Sequence, residues 1–302
     1  MTITQLEYLI AVVNYGSFSA AADHCFVTQP SLSTQIKNLE DELGVILLNR
    51  GDKPIVPTQA GVAIIDQAKK ALSEFYMIKE RVDEMSNGVK GTIILGVIPT
   101  ISPYILHKFI PKFLRLYPGV KLEIKEMYTY QIESALKKGT LDIGLLAGGF
   151  TSKTEIKEEK LYDDKFYLYV SKKHSFYGKA KISASSINVD ELLLLPDGHC
   201  LRTQVLDLCG GQVRSFGHVH FESGSLETII RMVDSTGGLT IVPQMMVPFI
   251  NESSRDQLIA FEQNMAARRD ISLAVSNNFY KKSIYNALKR TIIEATEFDC
   301  LI

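Results

Sequence analysis

The apolar periodicity of this chain changes once, between Met85 and Gly91, and that change constrains the fold more than any other feature of the sequence. Before it, apolar residues recur at helical spacing almost without interruption; after it, short β-rich runs alternate with helical ones. At 302 residues the chain exceeds one ordinary domain, so the change is read as a boundary between modules. The expected class is an α+β multidomain protein.

Residues 1–57 are dense in helix signals. Thr4-Gln5-Leu6-Glu7 fits a capping box, with Leu6, Leu9, Ile10 and Val13 as an inward stripe and Gly16 as the stop. Ser17 can cap a second helix with Phe18, Ala21, Ala22 and Cys25 on one face. Thr28 can cap a third, with Pro30 tolerated in its first turn and Leu32, Ile36, Leu39 and Leu43 on its buried side. Two helices joined by so short a turn are the pattern of a helix-turn-helix. The polar face of the third helix carries Gln29, Ser31, Ser33, Thr34 and Lys37, hydrogen-bonders suited to base edges and phosphates, while Glu40-Asp41-Glu42 falls at its far end. ILLNRGDKPIV then reads as two short strands about a Gly-Asp turn, a wing offering Arg50 and Lys53 to a DNA backbone. The DNA-binding candidates are therefore Gln29, Pro30, Ser31, Ser33, Thr34, Lys37, Arg50, Lys53 and Thr58. The segment holds three basic residues, Lys37, Arg50 and Lys53, against six acidic ones, and the whole chain has a formal net charge of -1, so any DNA reading is local. A small helical bundle with a polar surface fits the same pattern.

From Thr58 to Met85 one long helix is expected. Ile64, Ala68, Ala71, Phe75, Ile78, Val82 and Met85 form a heptad seam that needs a partner, either a second copy of the helix or this chain's own globular part. Ser86-Asn87-Gly88 is the expected hinge. Beyond it, GTIILGVIP, VKLEIKEM, LDIGLLAG, KFYLYVS, ELLLLP, HVHFES, GLTIVP and DISLAVS read as strands, separated by helices such as SPYILHKFIPKFLRLYP and SLETIIRMVDS. That many alternating units suggest two α/β lobes, and a cleft between lobes is a ligand site by geometry.

The N-terminus lacks a basic leader and a cleavage site, and no apolar run reaches bilayer length, so a cytoplasmic location and no membrane partner are expected. Four cysteines in a chain this long do not make a secreted-type disulfide framework. No metal or cofactor is expected.

The stretch SFSAAADHCFVTQPSLSTQIKNLEDELGVILLNR, followed by PTQAG, resembles the LysR-type transcriptional regulators, and the resemblance covers essentially the whole chain. Within that family GVIPTISPYIL, EMYTYQ and above all DGHCLRTQVLDLC are similar to its peroxide-sensing members. The resemblance implies an N-terminal winged helix-turn-helix over 1–57, a linker and dimerisation helix with hinge over 58–90, and a regulatory domain over 91–302 whose lobes resemble periplasmic binding proteins. Lobe I would be about 91–164 with 268–302, and lobe II about 165–267. It implies an activator of oxidative-stress genes on double-stranded promoter DNA, a homodimer assembling to a homotetramer, responsive to hydrogen peroxide, in contact with RNA polymerase and reset by a thiol reductant. In this reading Cys200 reacts with peroxide, Cys209 resolves it as a disulfide, and Thr100, Thr129, His199 and Arg269 form the peroxide pocket, with Arg268 an alternative to Arg269. The wing GDKPIVP is less basic than the family leads one to expect. A regulator answering to a small molecule in the inter-lobe cleft is the alternative, and a thiol peroxidase ranks last because the N-terminal module gives an enzyme no purpose.

The residues around the cysteines carry their own chemistry. Cys200 falls where a helix should begin, after Pro196-Asp197-Gly198-His199, with Leu201, Val205 and Leu208 as its inward face and Gly210-Gly211 as its stop. The helix dipole, with donors or charge from His199 and Arg202, would favour thiolate at Cys200 and leave Cys209 at the negative end. Nine residues of helix separate the two Cα atoms by about 13 Å, whereas a disulfide needs about 5.5 Å, so bonding requires the helix to melt. Both residues can equally be inert buried thiols. Cys25 and Cys300 read as structural or incidental.

Overall fold

The first helix of the computed structural model, α1 (Ile3–Tyr15), begins two residues earlier than the sequence suggested. Thr2, extended at φ −125°, accepts the Gln5 N–H at 3.3 Å, and the Gln5 carboxamide accepts the Thr2 N–H at 2.8 Å, so the capping box is Thr2/Gln5 and not Thr4/Glu7. That start places Leu6, Leu9 and Val12 in the core, while Ile10 and Val13 pack only partly against it. The structure describes residues 1–85, 88–149, 155–211, 225–262 and 267–296. Ser86 and Asn87 of the expected hinge, the HVHFES stretch at 218–223 and Cys300 lie outside these, and of 83–85 only the backbone is described.

Two compact units form, the first built on the N-terminal helices. In it, α2 (Phe18–His24) is capped by Ser17, whose Oγ accepts the Ala20 N–H, and α3 (Gln29–Leu43) by Thr28, whose hydroxyl accepts the Ser31 N–H. Ala21, Ala22, Leu32, Ile36 and Leu39 close the core with Leu47 and Leu48. The wing strands β1 (Leu48–Asn49) and β2 (Val56–Pro57) pair antiparallel around a loop longer than the expected Gly-Asp turn.

Glu40 corrects the reading of the acidic run. Its carboxylate is buried and accepts the Leu47 N–H at 2.8 Å, the Leu48 N–H at 3.2 Å and an Arg50 Nη2 donor at 2.8 Å. A buried carboxylate is tolerable only with this many partners, and these tie α3 to the wing.

The long helix α4 (Gln59–Met85) starts at Thr58, whose Oγ1 accepts the Gly61 N–H at 2.9 Å and donates to the Ile46 carbonyl at 2.8 Å. Gly61 has to be glycine, because a Cβ there would stand 2.0 Å from the Leu47 carbonyl oxygen. The expected seam divides. Ala68 is buried in the head's own core beside Ile65 and Leu72, with Ile64 packed partly against it, whereas Ala71, Phe75, Ile78 and Val82 stand exposed. A straight helix drifts relative to a seven-residue repeat, and its first turns are committed to the head.

The second unit is a mixed sheet with helices. In chain order it comprises β3 (Lys90–Val97), α5 (Ser102–Leu116), β4 (Gly119–Glu126), α6 (Thr129–Lys138), β5 (Ile143–Ala147), β6 (Ile156–Val170), β7 (Lys181–Ile182), α7 (Cys200–Cys209), α8 (Leu226–Thr236), β8 (Leu239–Pro243), β9 (Leu258–Phe261), β10 (Arg268–Ser276) and α9 (Lys282–Thr296). The strand order is β4-β3-β5-β10-β6-β9-β7, with β8 also on β6. The 15-residue β6 changes partners between Lys165 and Phe166: its first part pairs with β10 and its second with β8 and β9. One strand thus belongs to two lobes, the first on β3, β4, β5 and β10, the second on β7, β8 and β9.

ELLLLP is not a strand. Leu192 makes a lone bridge to Leu239, and Leu192, Leu194 and Leu195 are buried in irregular chain, because apolarity alone specifies burial and not ladder pairing. The polar first part of β6, β7, β9, α6 and α9 carried no signal that the sequence reading used.

Replacing Glu40 by alanine strands two buried N–H groups and should destabilise the head by about 2–3 kcal/mol. Chemical denaturation of the full chain measures it; a loss below about 0.5 kcal/mol would show that the carboxylate is not the tie described.

Candidate functional site

Cys200 is the first residue of α7, and the loops that meet it come from the other lobe. Ile98, Pro99 and Thr100 follow β3, Tyr128 and Thr129 open α6 just after β4, and with Gly198, His199 and Cys200 they line a small, tight pocket. The carboxyl ends of parallel strands are where an α/β sheet leaves room for ligands. Gly198 sits at φ +94°, a left-handed conformation that a side chain would strain, with the Tyr128 and Tyr130 rings 3.9 Å from where a Cβ would be. Thr100, Thr129, His199 and Cys200 are thus brought together, although two lie in one lobe and two in the other.

Arg269 is the wall behind Thr100. It donates from Nη1 to Thr100 Oγ1 at 3.0 Å, from Nη2 to the Thr100 carbonyl at 3.1 Å, and from Nε to Asp164 Oδ2 at 2.9 Å, with its side chain fully buried. Asp164 faces Arg269 across the β6–β10 ladder and also accepts the Met245 N–H at 3.0 Å. Arg268, the alternative, is exposed and pairs with Asp163 at 3.4 Å.

Two buried polar atoms of this pocket have no partner, Thr129 Oγ1 and His199 Nδ1. Leaving such a group unsatisfied costs about 1–3 kcal/mol, so the pair marks a place where a small hydrogen-bonding molecule belongs. Burial holds the His199 imidazole below its ordinary pKa, with Glu126 opposing, so the ring is neutral at neutral pH and offers one donor and one acceptor nitrogen. Its ring stands edge-on to Tyr128, with centroids 4.9 Å apart.

These observations correct the charge expected around Cys200. His199 brings no cation, and Arg202 is turned to Asp197 at 2.9 Å and the Leu195 carbonyl at 3.2 Å. What remains for the sulfur is the positive end of α7. Cys209, at the other end, is half-buried, and burial pushes its thiol up to about 11. Leu201 and Val205 anchor α7 inward, and Gln204 Nε2 donates to the Ala147 carbonyl of the opposite lobe at 3.1 Å. Cys25, at the end of α2, is raised by burial and by Glu7 and packs against the head core.

On α3, Gln29, Pro30, Ser31, Thr34 and Lys37 are exposed and share the face opposite the core. Ser33 is half-buried and accepts from Arg50 at 3.4 Å. Arg50, expected as a free wing contact, is bound to Glu40 and lies 5.2 Å from the Phe18 ring centre, so it props the reading helix against its neighbours. Lys53 is exposed on the wing, and the Thr58 hydroxyl is spent on the α4 cap.

Residues 3–62 match the bacterial regulatory helix-turn-helix of the lysR family, and residues 86–296 match the LysR substrate binding domain. The chain belongs to the LysR family. It is a DNA-binding transcriptional regulator of LysR type, with the head as its helix-turn-helix module. Among LysR relatives it is 38% identical over 258 residues to the "Hydrogen peroxide-inducible genes activator" of Haemophilus influenzae, covering 84% of this chain and 83% of that one. A full-length OxyR cysteine-to-aspartate variant from Pseudomonas aeruginosa superposes with a TM-score of 0.77 at 32% identity, over 97% of this chain and 94% of that one. An H2O2-bound cysteine-to-serine variant of Corynebacterium glutamicum OxyR gives 0.64 at 27% identity, over 99% and 93%.

Because the Cys209 thiol is held up to about 11, iodoacetamide at neutral pH should label Cys200 at least about tenfold faster than Cys209 in the folded chain. Peptide mass spectrometry against time reads this, and equal rates would contradict it.

Proposed function

We propose that this LysR-type regulator senses hydrogen peroxide through Cys200, activating oxidative-stress genes. The observation that carries the reading is the pair of unpartnered polar atoms, Thr129 Oγ1 and His199 Nδ1, in the small pocket that these residues line with Cys200. Peroxide has a donor and an acceptor on each oxygen, and the threonine hydroxyls and a neutral imidazole match both. The kinship with peroxide-inducible activators supports the same signal.

The Cys200 thiolate attacks one peroxide oxygen, the O–O bond breaks, and the departing hydroxide takes up a proton to leave water and Cys200 sulfenic acid. The Cys209 thiol then displaces that hydroxyl as a second water, closing a Cys200–Cys209 disulfide. Two electrons from a dithiol reductant reset the pair. At rest Cys209 is a protonated, half-buried thiol at the wrong end of a helix, so the second step requires α7 to open, exposing Cys209 and bringing it close. Arg269 contributes by fixing Thr100. One peroxide is consumed per reset.

In this reading residues 1–57 bind double-stranded promoter DNA, 58–90 pair two copies through the exposed Phe75, Ile78 and Val82 stripe, and 91–302 sense, with lobe I at about 91–164 and 268–302 and lobe II at about 165–267. Dimers assemble to a tetramer in the cytoplasm that engages RNA polymerase. Among the described residues no helix is long and apolar enough to cross a membrane.

Mass spectrometry after stoichiometric peroxide should show an intrachain Cys200–Cys209 disulfide that dithiothreitol reverses; its absence sinks the reading. Cys200→Ser should abolish peroxide-dependent transcription while keeping operator binding. Thr129→Val removes an unsatisfied hydroxyl at nearly constant volume, so the melting temperature should hold or rise while Cys200 oxidation slows about tenfold; an unchanged rate would remove Thr129 from the pocket's chemistry. Lys37→Ala should weaken operator binding and lower the log–log salt slope by about one.

A further inference from the structure

The turn between α2 and α3 carries the most exposed large apolar side chain among the described residues, Phe26, at 95% exposure. Its backbone, at φ +56°, closes α2: the Phe26 N–H donates to the Asp23 carbonyl at 3.3 Å and the Val27 N–H to the Ala22 carbonyl at 3.0 Å. This pair of bonds makes a Schellman turn, whose left-handed residue is usually glycine and sometimes asparagine. The chain meets the same demand with glycine after α1, α3, α7 and α8, at Gly16, Gly44, Gly210 and Gly237. Among the described residues Phe26 alone has a positive φ without being glycine.

Phenylalanine at this position opposes folding in two ways. Its Cβ strains a conformation that glycine takes freely, and its ring stays in water while the next residue, Val27, packs against the head core. Strain held on a side chain that the fold does not use points to something outside the chain that does use it. The position of Phe26 says what that is. Thr28, the N-cap of α3, follows two residues later, and two residues of chain span at most about 7 Å. Phe26 therefore lies at the same end of α3 as the exposed Gln29 and Pro30. In a helix-turn-helix this end of the second helix enters the major groove. The one apolar feature that base edges present there is the C5 methyl of thymine, and a phenyl ring packs against it.

We infer that Phe26 determines specificity on DNA, its ring covering the methyl group of one thymine in each half-site and so selecting an A·T pair there. The inference rests on the reading that the exposed face of α3 meets DNA, and it adds to that face a contact of a different kind. Gln29, Ser31, Thr34 and Lys37 offer hydrogen bonds and one charge, whereas the ring offers only apolar area. An apolar contact releases no counterion, so its share of the affinity does not fall as salt rises. That suits a head whose Arg50 is already bound to Glu40.

The test uses the full chain and the duplex that it binds most tightly from a random library. Phe26→Asn and Phe26→Gly both relieve the left-handed strain, so the melting temperature should hold or rise. Affinity for the selected duplex should fall about fivefold or more in each, with the log–log salt slope unchanged. Replacing thymines by uracil one at a time then removes single methyl groups. One such replacement per half-site should weaken the native chain at least threefold and leave Phe26→Gly unaffected, because there the methyl has already lost its partner. Full affinity in both variants overturns the contact, as does the lack of any thymine whose methyl matters only to the native chain. A melting temperature lowered by both variants would make the ring structural and overturn it too. If affinity holds while transcription from a reporter carrying the duplex falls, the ring serves a protein partner and the inference fails. Lys37→Ala separates the two levels: unchanged binding there overturns the α3 face as the DNA surface, whereas weakened binding there beside unaffected Phe26 variants overturns the Phe26 contact alone.

Discussion

The fully buried Arg269–Asp164 pair sits at the one place where the regulatory half cannot afford to be loose. It spans β10 and β6 one residue before the ladder changes partners, and it takes in Thr100 from the first lobe and the Met245 N–H from the second. Two charges out of water gain nothing unless every donor and acceptor is met, and here the guanidinium has Asp164, Thr100 and the Met245 sulfur. Such a group has essentially one arrangement. Thr100, which lines the small pocket, is consequently held in place from behind by this pair.

The head depends on a parallel device. Glu40 collects two wing amides and Arg50, so α3 and the wing are presented as one rigid piece. Arg50 is thereby spent on holding α3 in place, and the polar face from Gln29 to Lys37 is left exposed; in the proposed reading that face makes the DNA contacts of a module with so few basic residues. A short, rigid contact set loses little conformational entropy on binding, which offsets a modest electrostatic attraction.

Much of this was legible in the sequence, and the parts that were not share a cause. Ser17, Thr28 and Gly16 bound their helices because capping is a local matter, decided within three or four residues. Cys200 at a helix start and Cys209 at its end followed from Gly198 and Gly210 in the same way. The first part of β6 did not read as a strand because its EIKEEK run is polar, and what makes it one is β10, some hundred residues on. ELLLLP misled for the converse reason, being apolar without a ladder to join. Burial decided the remaining cases. Glu40 read only as part of an acidic run at the far end of its helix and His199 as a source of donors or charge, and in each case burial, unreadable from one segment, decided the chemistry.

The ten-residue length of α7 has a further consequence, in time instead of space. In the proposed reading, with the second thiol protonated and out of reach, the chain would hold its oxidised sulfur in an intermediate form until the helix opens. During that interval a reductant can still erase the mark. In the proposed peroxide reading the helix would act as a delay line: brief exposures would be forgotten, sustained ones recorded, with the threshold set by how often Leu201 and Val205 leave the core.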